Sequence, residues 1–200
     1  MTGPTGNEAC RQLLDIAATV LEARPFETVT LDDIRRAADD DSQPAVDLSE
    51  CSMHMLGSEI LTHEGNSMRD AQVRAARDSQ TPLERLRLAF RYVGENLERD
   101  VCVRAGVRIA GESHHCFPER NINPFRTWQR FASNALHEAD TAGEVRQGVS
   151  IEDTAWILTA AGLGTKDLLA FTGEWHRAPD LLERAAVQLT SSIRWEGGHP

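Results

Sequence analysis

The sequence predicts an all-α chain: a small N-terminal helical unit, followed by a larger helical bundle. Apolar residues recur at three- and four-residue spacing through most of the 200 residues, no segment alternates as a strand does, and helix-start signals are spread along the chain. With 40% hydrophobic and 26% charged residues the chain can bury a core, and it has no run of about 20 apolar residues to span a bilayer.

The elements follow in order. Leu13, Leu14, Ala17, Val20 and Leu21 mark a first helix. Thr30, with Asp33 three residues on, reads as the N-cap and first-turn acid of a short helix through Ile34 and Ala37. Thr81-Pro82-Leu83-Glu84 joins a capping box to a proline at the first helical position, and Leu83, Leu86, Phe90, Val93 and Leu97 form one stripe behind it. Further starts lie at Asn123-Pro124 and at Ser150 with Asp153, and Leu182, Ala186, Leu189 and Ile193 mark one face of a last helix. Breaks are expected at 39–50, 112–124 and 172–179, and the boundary between the units between residues 62 and 63, giving 1–62 and 63–200.

Charge bears on partners. The formal net charge is -10, and residues 1–60 hold twelve acids against Arg11, Arg24, Arg35 and Arg36, a net of -8. DNA affinity rests on Lys and Arg displacing counterions from phosphates, so this distribution makes DNA a doubtful partner. Between Ala38 and Met55, Gln43 is the only residue of a type that reads base edges from a helix start, and it follows the acidic run Asp39-Asp40-Asp41. The four cysteines are scattered and are expected as reduced thiols. Met1-Thr2-Gly3-Pro4 lacks the basic-then-apolar pattern of a secretory leader, so a cytoplasmic protein is expected. Cys51-x-x-His54 and His114-His115-Cys116 contain zinc-ligand types without the paired spacing of a structural site, and neither metal nor cofactor is expected.

Three blocks carry a resemblance. Arg104-Ala105-Gly106-Val107-Arg108-Ile109-Ala110-Gly111-Glu112, then Asn123-Pro124-Phe125-Arg126-Thr127-Trp128, then Ala139 to Gly148 with Gly143-Glu144, resemble the ligand-binding half of γ-butyrolactone receptors, a branch of the TetR-type regulators. The likeness runs over roughly 82–195 in order and spacing. Residues 11–38 are similar to the first two helices of the family's DNA-binding unit, so the resemblance implies a TetR-like fold with a divergent helix-turn-helix-type domain over 1–62. Residues 39–51 depart from it, being longer and without a basic residue. The resemblance implies a homodimeric, helical repressor of antibiotic-biosynthesis genes that releases DNA when a small lactone enters the bundle.

It also implies the site. Trp128, in the family's Pro-aromatic-x-x-Trp pattern, would pack against the ligand, with Phe125, Phe90, Leu163 and Arg69 expected to join it. By spacing, Arg69 and Leu163 stand where members carry a Gln and a Thr as polar handles. A lactone of the usual kind would lose those partners, while an inward guanidinium would favour an acidic ligand; a solvated helix face is the other role open to Arg69. For the last two helices it implies a four-helix dimer interface, with Ile157, Leu158, Ala161, Leu168, Leu182, Ala186, Leu189 and Ile193 as candidates and intramolecular core as their competing role. Three functional readings remain: a small-molecule-binding regulator or pseudo-receptor of specialised metabolism; an enzyme of the same metabolism with Glu112 and His115 as an acid/base pair; and a regulator acting by contact with a paralogue.

Overall fold

The computed structural model describes residues 13–40 and 51–195; Gln43, the expected base reader, lies outside the described residues. Eight helices are described: α1 Leu14–Ala23, α2 Leu31–Asp40, α3 Met53–Asp78, α4 Pro82–Arg99, α5 Val101–Cys116, α6 Pro124–Thr141, α7 Ile151–Thr172 and α8 Ala178–Ile193. The one strand-like feature among the described residues is a bridge between Val145 and Arg194. None of the described helices is long and apolar enough to cross a membrane.

Local chemistry sets the helix ends. Asp33 N–H donates to Thr30 Oγ1 at 3.2 Å, and Thr30 N–H donates back to Asp33 Oδ2 at 2.9 Å, opening α2 with a reciprocal cap. At α4, Thr81 Oγ1 accepts from Glu84 N–H at 3.3 Å, and Glu84 reaches the Gln80 amide at 2.8 Å. Asp100 caps α5 through the amides of Cys102 and Val103, and Ser150 caps α7 through that of Asp153. Gly173 closes α7 at φ 70°, in the left-handed region. Helix α5 continues through Glu112–Cys116, where a break was expected. Phe117 N–H still bonds to Ser113 O, and the chain leaves helical geometry only at Phe117, the residue before Pro118.

The chain divides into two units. The first takes Met1–Ser67 together with Asp100–Asn123, so α5 belongs to it, whereas the sequence boundary assigned that helix to the bundle. The reason is a shared core. Ile109 and Phe117 are fully buried with Leu13, Leu21, Ile34, Leu56 and Ile60. At Gly106 a Cβ would lie 2.3 Å from the Cβ of Glu64, so α5 and α3 meet at a distance only glycine permits. Cys51, packed into this core, is disulfide-bonded, which corrects the expectation of four reduced thiols; Cys102 and Cys116 are free.

The second unit, Met68–Arg99 with Pro124–Pro200, is a bundle of the rest of α3 with α4, α6, α7 and α8. The predicted α4 stripe is its spine: Leu83, Leu86, Phe90 and Leu97 are buried. Arg87 and Arg91 of α4 both pair with Glu183 of α8, and Arg85 donates to Glu138 of α6 at 2.8 Å.

Candidate functional site

Within the bundle the structure gathers aromatic rings from two helices onto a third. Phe90 on α4 is 6% exposed, and its ring stands edge-on to Trp128 of α6 at 6.2 Å and 72°. Trp128 meets Phe131 one turn on at 5.5 Å and 82°. Such edge-to-face contacts are each worth about 0.5–1.5 kcal/mol beyond area burial. Across from them lies Gly162 of α7, where a Cβ would approach Phe90 Cε1 to 2.9 Å. Phe90 therefore rests on bare backbone, and any larger residue at 162 would push the ring aside. Trp128 itself is half-buried.

A polar rim borders this group. Phe131 packs with Tyr92 against Ala75 and Ala89. Tyr92 Oη donates to Asp78 Oδ2 at 2.8 Å, and the Arg74 guanidinium lies 4.0 Å over the Tyr92 ring. Burial and the bond to Asp78 raise the Tyr92 phenol above its usual range, while hydrogen bonds from Arg77 and Tyr92 hold the Asp78 carboxyl below its own.

The other expected lining residues divide. Leu163, beside Gly162, is half-buried. Phe125 pairs instead with Trp156 at 6.4 Å, and Trp156 is 53% exposed, so Phe125 sits toward the outside of the bundle. Arg69 is exposed on α3, which gives it a solvated face rather than an anchoring role. Phe131 and Gly162 were missed by sequence reasoning. Phe131 carried the signal of lying one turn after Trp128, whereas Gly162 carried none, because the contact crosses from α4 to α7.

In the first unit, the described arginines of residues 1–60 are committed to its own acids. Arg35 pairs with Asp32 at 2.7 Å, Arg36 with Asp33 at 2.7 Å, and Arg24 with Asp33 at 3.5 Å. The Thr30 hydrogen bonds hold the Asp33 carboxyl below its ordinary value, so it remains an anion beside them. The postulated acid/base pair also belongs to this unit, not to the bundle. Glu112 Oε2 accepts the Phe26 N–H at 2.9 Å and its other oxygen faces Arg108 Nε at 3.5 Å, which makes it a tie between α5 and the turn after α1. His115 is exposed, with its ring 3.7 Å from that of His114. Among the described residues no three His, Cys, Asp or Glu side chains are grouped to hold a metal.

The fold has known counterparts. The TetR-family protein CprB from S. coelicolor A3(2) aligns with a TM-score of 0.75 at 20% identity, over 95% of this chain and 90% of its own. A γ-butyrolactone receptor described as ArpA-like aligns with a TM-score of 0.70 at 19% identity, over 94% of this chain and 99% of its own. The ketosteroid transcriptional regulator KstR2 of Mycobacterium tuberculosis reaches 0.71 at 18%, over 98% and 99%. No protein-family model and no curated protein sequence matches the chain. At these identities the likeness establishes the fold: the chain has the all-α fold of TetR-type regulators. A butyrolactone receptor and a ketosteroid regulator align about equally well, so the fold does not choose a ligand.

Proposed function

We propose that the chain is a γ-butyrolactone-receptor-like, small-molecule-binding regulator of specialised metabolism that acts as a homodimer and binds DNA weakly. The observation that carries this reading is the Phe90–Trp128–Phe131 group set against Gly162 inside the bundle. Half-buried aromatic faces with a polar rim suit a flat or alkyl-bearing lactone or pathway intermediate of low charge. With Leu163 apolar and Arg69 exposed, polar recognition falls to groups near Tyr92, and the ligand differs from one bound through an amide and a hydroxyl.

Weak DNA binding is supported by the net charge of -8 over residues 1–60 and by the pairing of Arg24, Arg35 and Arg36. Breaking exposed pairs costs only about 0–1 kcal/mol each, so the unfavourable factor is the uncompensated acids that remain. Dimerisation is supported by an apolar stripe on α7: Ile157, Ala161, Leu168 and Phe171 recur at helical spacing, with Leu168 67% and Phe171 89% exposed. Of the residues expected at this interface, Leu158, Leu182, Ala186 and Ile193 are buried within the bundle, where their methyl groups face other helices of the same chain. Ile157, Ala161, Leu168 and Leu189, also expected there, stay available and carry the proposed face.

Isothermal titration with an alkyl-substituted γ-butyrolactone tests the pocket. The wild-type protein is expected to bind it, and Trp128→Ala to weaken binding at least tenfold, about 1.4 kcal/mol. Equal affinity in the two proteins, or no binding of lactones by either, would overturn the reading.

A further inference from the structure

Lysine occurs once in this chain, at Lys166, among 21 basic residues. It stands on α7, where its side chain is only 21% exposed, whereas a lysine ordinarily leaves most of its stem and its ammonium in water. Helix phase puts it on the bundle side. Ala155, Leu158, Thr159 and Leu169 are the buried residues of α7, and Gly162 backs Phe90 from the same side. Lys166 follows Gly162 by four residues, which places it about 40° around and about 6 Å along the helix, inside that buried arc. The exposed stripe of Ile157, Leu168 and Phe171 lies on the opposite side. A long helical side chain leans back over the turn before it, so the Lys166 stem runs toward Gly162 and Leu163, beside the Phe90–Trp128 ring group.

The hydrogen-bond donors on this face lead to the same residue. Thr159 donates its hydroxyl proton to the Ala155 carbonyl at 2.8 Å, and Thr165 donates its own to that of Ala161 at 2.7 Å. The ammonium of Lys166 carries three N–H donors, and Asp167 Oδ1 engages it at 2.6 Å from a side chain that is 70% exposed. Asp167 also balances the charge. The pair therefore offers a donor with little net field, which suits the dipole of a carbonyl better than a further carboxylate.

We infer that Lys166 recognises the carbonyl oxygen of a ring-closed lactone held against Phe90 and Trp128, and so selects that ligand class over carbonyl-free and ring-opened analogues. The assignment rests on the bundle site proposed above, to which it adds a polar contact from α7 beside the groups near Tyr92.

Isothermal titration of the full-length protein compares γ-octalactone with 2-butyltetrahydrofuran, which keeps the ring and chain without the carbonyl, and with 4-hydroxyoctanoate, the ring-opened acid. The wild type is expected to bind the lactone at least tenfold more tightly than either analogue. In Lys166→Met the lactone and the ether are expected to bind alike, and Lys166→Arg to restore part of the preference. Carbon-13 labelling of lysine at Cε gives a single signal, because the chain holds one lysine. The lactone is expected to shift that signal in step with binding, and the ether to leave it in place. An unmoved signal at saturating lactone, a lactone-over-ether preference that survives in Lys166→Met, or equally tight binding of 4-hydroxyoctanoate overturns the inference. If Lys166→Met does not fold, the wild-type signal decides. Lactone binding that is lost in Trp128→Ala yet indifferent to Lys166 removes this inference alone, whereas a wild type that binds no lactone removes the bundle site with it.

Discussion

Trp128 and Cys102 show how much an environment adds to a residue type. Only the family resemblance singled out Trp128, and its contacts with Phe90 and Phe131 give it an aromatic setting. Cys102 looked like any scattered thiol. Burial, with the Asp15 and Asp100 carboxylates nearby, pushes its thiol from 9.0 up to about 12. At pH 8 the folded protein therefore keeps Cys102 as the protonated, unreactive thiol. Native alkylation at pH 8, followed by peptide mapping, is expected to modify the half-buried Cys116 first and Cys102 only after unfolding. The sign for stability follows: the contribution is complete below pH 9.0 and is lost as pH rises toward about 12, because the unfolded thiol ionises first. The solvated face open to Arg69 was legible and agrees with its exposure, whereas the disulfide at Cys51 was not, since pairing depends on which neighbours the fold supplies.

At the scale of elements, caps and stripes were legible because they are local: Thr30 with Asp33, Thr81 with Glu84, Ser150, and the Leu83–Leu97 stripe all form as read. Contacts between helices were not. Gly94 reads as a helix-weakening residue, yet α8 comes so close there that a Cβ would lie 2.5 Å from Pro179 Cα and 2.6 Å from the Ala178 carbonyl oxygen. Because both obstacles are backbone, a side chain cannot turn away to make room. Gly94→Ala is expected to cost about 1–3 kcal/mol despite alanine's better helix propensity, read as a lower urea midpoint. A midpoint at or above wild type would mean that α4 and α8 are less tightly packed. The extension of α5 through Cys116 belongs to this scale too. The polar run Glu112–His115 looked like a loop, but Glu112 is held by the Phe26 amide and Ser113 is buried.

On the scale of the whole molecule, two features set behaviour: acidic charge concentrated toward the N-terminus and an apolar stripe on α7. Leu168→Glu with Phe171→Glu is expected to convert a dimer to a monomer in sedimentation velocity without loss of helicity, because both side chains are exposed in the single chain. A wild-type monomer, or a double variant that still dimerises, would remove α7 from the interface. Composition foretold the charge and periodicity the fold class, and the α7 candidates included both Ile157 and Leu158; only the fold separates them, with Leu158 buried and Ile157 47% exposed. The most direct test of a ligand-holding bundle is native mass spectrometry of the protein after exposure to an extract containing the metabolites of an antibiotic-producing culture. The account predicts one small-molecule adduct per subunit in the wild type and its loss in Trp128→Ala. A bare wild-type mass, or an adduct that survives the substitution, would contradict it.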